Sequence, residues 1–159
     1  MLKVADEVFV AVGLLHREHP EQEDFSIGEI VDRAEAEKLT PRLRPGVRVH
    51  VTTHSVAGLP PNPGRYTTLT ATSSGRRRLF RPGDPVHPAR VGGKQLPAEG
   101  DLPASYRPLL TWYATEYLAR GSRERVSGVD PFLELRGLGR EIWADESGDE
   151  FIDKLRSEW

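Results

Sequence analysis

The chain has 159 residues, 37% hydrophobic and 29% charged, with a formal net charge of −2 and no cysteine. That length holds one ordinary domain with an appendage, or two very small domains. The absence of cysteine excludes disulfide scaffolds and Cys-ligated zinc or iron–sulfur sites, and no apolar run approaches the roughly 20 residues of a membrane helix.

Residues 2–16 place Leu2, Ala5, Val8, Phe9, Val12 and Leu15 at spacings of three and four, the pattern of an amphipathic helix. Asp6 and Glu7 stand where a secretory leader would carry positive charge, so the expected location is the cytoplasm. A second helix starts at Ser26, with Glu29 as its capping-box partner and Phe25 and Ile30 as a hydrophobic staple, and runs to about Lys38. Residues 40–58 leave two options. Pro45 and Gly58 could bracket a third helix, whereas the alternation of Val47, Val49 and Val51 reads as a strand. A hairpin follows: residues 66–72 are rich in threonine, Ser73-Ser74-Gly75 is a turn, and residues 76–81 return. Residues 82–104 are a Pro/Gly-rich connector. A helix opens at Ser105 and carries Tyr106, Leu109, Leu110, Trp112, Tyr113, Tyr117 and Leu118. Residues 119–129 read as a flexible linker, and residues 130–159 as a separate tail.

The near-neutral total hides a segregation. Residues 1–40 carry a net −6, residues 41–94 a net +9, and residues 95–159 a net −5. A basic block between acidic flanks suits a polyanion partner; the plainer alternative is internal neutralisation. Arginine outnumbers lysine heavily, which suits bidentate contacts to phosphate and guanine. Helix, capped helix, third element and arginine-rich hairpin follow the order of a winged helix-turn-helix domain, in which the third helix enters the major groove and the wing meets the backbone or minor groove. The fold class expected is therefore α+β: a winged helix-turn-helix domain over residues 1–118, then a helix and an extended or helical C-terminal tail. The DNA-contacting candidates are Arg44, Arg48, Thr52 and Thr53 on the third element, and Arg76, Arg77, Arg78 and Arg81 on or beside the wing. The segments FSIGEIVDR, HSVAGLPPNPGRY, RLFRPGD and LLTWYATEY loosely resemble those of bacterial winged-helix modules, which implies a DNA-binding fold.

The tail is too short to form a core alone, yet it contains Phe132, Leu133, Leu135, Leu138, Ile142, Trp143, Phe151, Ile152, Leu155 and Trp159. Ser147 and Glu150 form a capping box, and Phe151, Ile152, Leu155 and Trp159 share one stripe of the helix that follows. Such a helix fits a partner's groove. The stretch LELRGLGREIWADESGDEFIDKLRSEW resembles the C-terminal tails of VapB-type antitoxins of type II toxin–antitoxin systems. Leu135, Gly137, Gly139, Arg140, Trp143, Asp145, Leu155, Arg156 and Trp159 carry the match, and Leu138 replaces the family's serine. The resemblance implies a tail that wraps and blocks a PIN-domain ribonuclease toxin. Leu133, Leu135, Arg136, Arg140, Trp143, Phe151, Leu155 and Trp159 would be its partner-binding residues, with Arg136 or Arg140 pairing with the carboxylates that hold the toxin's Mg²⁺. Joining this tail to a DNA-binding domain leads us to expect repression of its own operon through double-stranded operator DNA, with toxin binding changing operator affinity through a homodimer.

No P-loop, Rossmann glycine pattern or G-x-S-x-G is present. His16 with His19, and His50 with His54, have helical spacing but no H-E-x-x-H context. We expect no catalysis, no cofactor, no metal and no membrane contact. The alternative is a winged-helix adaptor or a transcription regulator without a toxin, its tail packed in cis or in a homodimer. Burial of Trp143 and Trp159 against residues 105–118 would favour the adaptor.

Overall fold

A computed structural model describes residues 1–62 and 64–127. The chain divides into two compact units, Met1–Ala119 and Arg120–Trp159. The first contains α1 (Val4–Glu18), β1 (Phe25–Ser26), α2 (Ile27–Glu37), α3 (Gly46–Val49, extended by a wider π turn over His50–His54), β2 (Leu69–Ser73), β3 (Arg76–Leu79) and α4 (Pro108–Trp112) with its π turn Tyr113–Tyr117. The last described helix, α5, spans Leu118–Ser127 and continues through the segment read from sequence as a linker. The architecture is α+β, with a three-stranded antiparallel sheet ordered β1-β3-β2. No described helix is long and apolar enough to cross a membrane.

α1 lies at the centre of its unit and packs on α2, α3, β3 and α4. Every residue from Ala5 to Gly13 is buried, so its one-faced sequence pattern understates its burial. Asp6 and Glu7 are inside with partners. Asp6 accepts from the Lys3 backbone N–H at 2.9 Å and from Lys94 Nζ at 3.1 Å, and Glu7 pairs with Arg44. α2 starts as its sequence dictates. Ser26 Oγ accepts from the Glu29 N–H at 3.2 Å, and the Ser26 N–H donates to Glu29 Oε2 at 2.7 Å.

The ambiguous stretch is helical. Val47 and Val51 are fully buried, whereas Val49 keeps 43% of its surface exposed. On a 100° wheel Val47 and Val51 share the core stripe and Val49 falls opposite. Burial between α1 and α2 thus overrides β-propensity and the alternating valines. Extended backbone resumes only at Val56, which bridges to Leu69.

The hairpin turns at Gly75 (φ 74°), a conformation that costs glycine little. The Pro/Gly-rich connector is not loose. Its short 3₁₀ turns Pro88–Arg90 and Glu99–Asp101 carry Arg90 and lead to Leu102, both buried in the body. Gly93 passes so close to the chain at Arg65 that an added Cβ would lie 1.8 Å from the Arg65 carbonyl oxygen. Tyr113 and Tyr117 fasten the following helix by donating to the carbonyls of Phe80 (2.5 Å) and Leu79 (2.7 Å).

Candidate nucleic-acid interface

The structure sorts the basic block into two populations. Seven of its ten cationic side chains are engaged inside the first unit. Arg77 is buried and donates to the carbonyls of Val51 (3.1 Å), Thr52 (3.1 Å), Arg76 (2.8 Å) and Ser73 (3.3 Å). Arg90 is 0% exposed and donates to the carbonyls of Leu59 (2.5 Å), His54 (2.7 Å), Tyr66 (2.5 Å), Thr53 (3.1 Å) and Pro60 (2.9 Å). Five bonds are the full donor complement of a guanidinium.

Together these two arginines cover the last four carbonyls of the helical stretch ending at His54. Those groups lack partners within any helix, and they form the negative end of its dipole, where cations are favoured. Burial lowers the pKa of both guanidinium groups; carbonyl dipoles rather than carboxylates balance their charge.

The remaining internal cations meet acids or rings. Arg78 and Asp84 form two hydrogen bonds of 2.7 Å, a bidentate pair. Burial pushes the Asp84 carboxyl up, but hydrogen bonds from Arg78, Thr70 and the Arg81 N–H outweigh it, and its pKa falls below the usual carboxylate value. Arg76 Nε donates to Asp24 at 2.5 Å. Burial likewise raises the Asp24 carboxyl, and Thr72 and Arg76 more than reverse it. Arg81 is buried and sits 4.8 Å over the Tyr117 ring. Arg44 pairs with Glu7, and Lys94 with Asp6.

Of the eight sequence-predicted DNA contacts, the structure therefore places Arg77, Arg78 and Arg81 inside the fold. Arg44 and Arg76 are partly exposed but paired. Arg48 and Thr53 are exposed and Thr52 is partly so. Pairing of the basic middle with the acidic first segment, through Glu7–Arg44, Asp24–Arg76 and Asp6–Lys94, accounts for part of the charge segregation.

What remains open surrounds α3. Its face opposite Val47 and Val51 presents Arg48, Val49, Thr52 and Thr53. Thr52 Oγ1 donates to the Arg48 carbonyl at 2.8 Å and Thr53 Oγ1 to the Val49 carbonyl at 3.1 Å, so each hydroxyl hydrogen is held by the helix itself. Arg42 precedes the helix. Arg65 adjoins Tyr66, whose ring lies 5.5 Å from that of His50. The side chains of Arg42, Arg48 and Arg65 are exposed, with no ion pair among the described residues. Arg42 and Arg65 were not singled out from sequence because Arg42 precedes the third element and Arg65 closes the Pro-rich segment HSVAGLPPNPGRY, neither of them on a predicted recognition element or wing.

His50 and His54 stack edge to face at 5.2 Å, and His50 Nδ1 is 2.9 Å from Ser55 Oγ. Burial, then the neighbouring His54, Arg44 and Arg90, push the His50 pKa down to about 4, so the ring is neutral at pH 7. Among the described residues no group of three or more metal-ligating side chains occurs. The predicted partner-binding residues Leu133, Leu135, Arg136, Arg140, Trp143, Phe151, Leu155 and Trp159 lie outside the described residues. Comparison of the chain with protein-family models, curated proteins and solved structures gives no match.

Proposed function

We propose that residues 1–118 form a winged helix-turn-helix module that binds duplex DNA with the open face of α3. Residues 130–159 then neutralise a PIN-type ribonuclease toxin, and the chain acts as an antitoxin that represses its own operon. The observation carrying the DNA half is the arginine-rimmed face of α3 within the order α1-β1-α2-α3-β2-β3, sheet order β1-β3-β2. A helix presented in this way can enter a major groove. In this reading Arg48, Thr52 and Thr53 face the groove, and Arg42 and Arg65 meet flanking phosphates. The toxin half rests on the tail's likeness to VapB-type antitoxins.

Gel shifts with duplex DNA from upstream of the reading frame test the first half. Binding should weaken linearly in log salt with a slope of about −2, roughly one unit for each of the phosphate-contacting arginines Arg42 and Arg65. Absence of salt-sensitive binding would overturn it. Co-expression tests the second half: an adjacent frame that is equally harmless with and without this chain argues against an antitoxin.

A second reading, a winged-fold adaptor that docks protein, is favoured by one observation. The hairpin arginines Arg76, Arg77 and Arg78 all bond within the fold, leaving no basic wing tip. It predicts a protein partner in pull-down and no DNA affinity.

A further inference from the structure

We infer that the open face of α3 reads the major-groove edge of a thymine beside a guanine; this deepens the DNA-binding reading and rests on it. Val49 is 43% exposed, one of three large hydrophobic side chains so exposed among the described residues. An apolar side chain gains nothing from water, and this one is at the middle of the face on which Arg48 and Thr53 also stand. Helical spacing puts Thr53 one turn after Val49 on the same stripe, and Thr52 one turn after Arg48 on the adjoining one.

The threonines sharpen the point. Both hydroxyl hydrogens are taken by the carbonyls one turn back, at 2.8 and 3.1 Å. Neither can donate to a base without losing that bond, so what they offer outward is methyl surface and an acceptor lone pair. Val49 and Thr53 therefore make a small apolar stripe, and Arg48 beside it is a fork with no ion pair among the described residues.

The base edges that match are limited. Among unmodified bases, only thymine shows a methyl group in the major groove, and guanine shows the O6 and N7 acceptors that an arginine fork takes bidentately. Adenine and cytosine each present an amino donor there, for which this face offers only the remaining lone pairs of two threonine oxygens. The stripe and the fork are on adjacent rows of one helix, so their targets are adjacent base pairs.

The experiment uses the full chain. Duplexes are enriched from a random pool, and the best binder is resynthesised in two altered forms. One carries dU for dT, which removes only the C5 methyl; the other carries 7-deaza-dG for dG, which removes N7. We expect an enriched dT–dG step, about fourfold weaker binding per contacted methyl lost on the dU duplex, and about tenfold weaker binding on the 7-deaza duplex. Val49→Ala should bind the dT duplex less tightly and lose most of the dU penalty. Arg48→Ala should lose the 7-deaza penalty. Both residues are exposed, and an unchanged melting temperature verifies the fold of each variant.

Equal wild-type affinity for dT and dU duplexes, with salt dependence intact, overturns this inference and leaves DNA binding standing. An equal dU penalty in wild type and Val49→Ala overturns it too, since the effect then belongs to the duplex. No salt-dependent binding to any duplex overturns the DNA-binding reading and this inference together.

Discussion

Arg90 and Arg48 are chemically identical and lie in the same basic stretch, but they have opposite surroundings. Arg90 is wholly enclosed and bonded to five carbonyls drawn from the end of α3 and from the segment up to Tyr66. Arg48 stands on the exposed face of that same helix. Cationic content therefore measures two different things here: the mortar that fixes α3 in place and the charge α3 presents. Charge counted along a sequence cannot separate them, because a guanidinium satisfied by carbonyls contributes almost nothing to outward recognition.

The sharpest way to break this division is Arg90→Met. It leaves the carbonyls of His54, Leu59, Pro60 and Tyr66 without the donor that Arg90 supplies, while Thr53 keeps the Val56 N–H, at about 1–3 kcal/mol for each that water cannot reach, which rivals the 5–15 kcal/mol stability of a typical domain. We expect loss of cooperative unfolding in a thermal melt followed by circular dichroism. A melting temperature within a few degrees of wild type would refute the structural role.

Asp84→Ala comes next. It strips the half of the Arg78 pair that is fixed by Arg78, Thr70 and the Arg81 N–H and should cost about 2–3 kcal/mol in urea unfolding. An unchanged midpoint would mean that water replaces the carboxylate without penalty.

The pH dependence follows from the shift directions. His50 has a folded-state pKa below its ordinary 6.5, at about 4, so the unfolded chain takes up a proton first. Its contribution to stability is whole above pH 6.5 and is lost progressively as pH falls towards 4. Asp24 and Asp84 have depressed carboxyl pKa values; their contributions persist above about pH 4 and vanish below it. Unfolding measured across pH should therefore fall in two stages. His50→Gln should flatten the upper stage and leave the lower one. A single stage in the wild type would contradict the His50 environment.

The smallest stability effect belongs to Arg48→Ala, at most about 0.5 kcal/mol for an exposed, unpaired side chain, paired with a loss of DNA affinity of about tenfold. Arg42→Ala and Arg65→Ala should each reduce the salt slope by about one with little change of stability. If Arg48→Ala destabilised the fold like Arg90→Met, the two populations would not be distinct.

Much of the frame was legible from local signals. Ser26 and Glu29 specify the start of α2, and Gly75 with its flanking strands specifies the hairpin, because capping and turn formation need only residues within a few positions of one another. The stretch at Val47–Val51 was not legible, since three alternating valines satisfy a strand locally while burial of two of them beneath a third helix requires α1 and α2 to be in place. The site was less legible than the fold. Arg48, Thr52 and Thr53 were singled out because they lie on the third element, and the structure leaves them on the open face of α3. Arg77, Arg78 and Arg81 looked equally suited, and Arg90 looked like part of a connector.

The sequence by itself determined the capped helix, the turn and the sorting of charge into acidic, basic and acidic thirds. Only the tertiary structure decided which arginines point outward. Arg77 meets the Val51 carbonyl across 26 positions and Arg90 meets the His54 carbonyl across 36. A buried carbonyl at a helix end takes whatever donor the folded chain brings to it, and that depends on contacts far apart in sequence rather than on the residues beside the arginine.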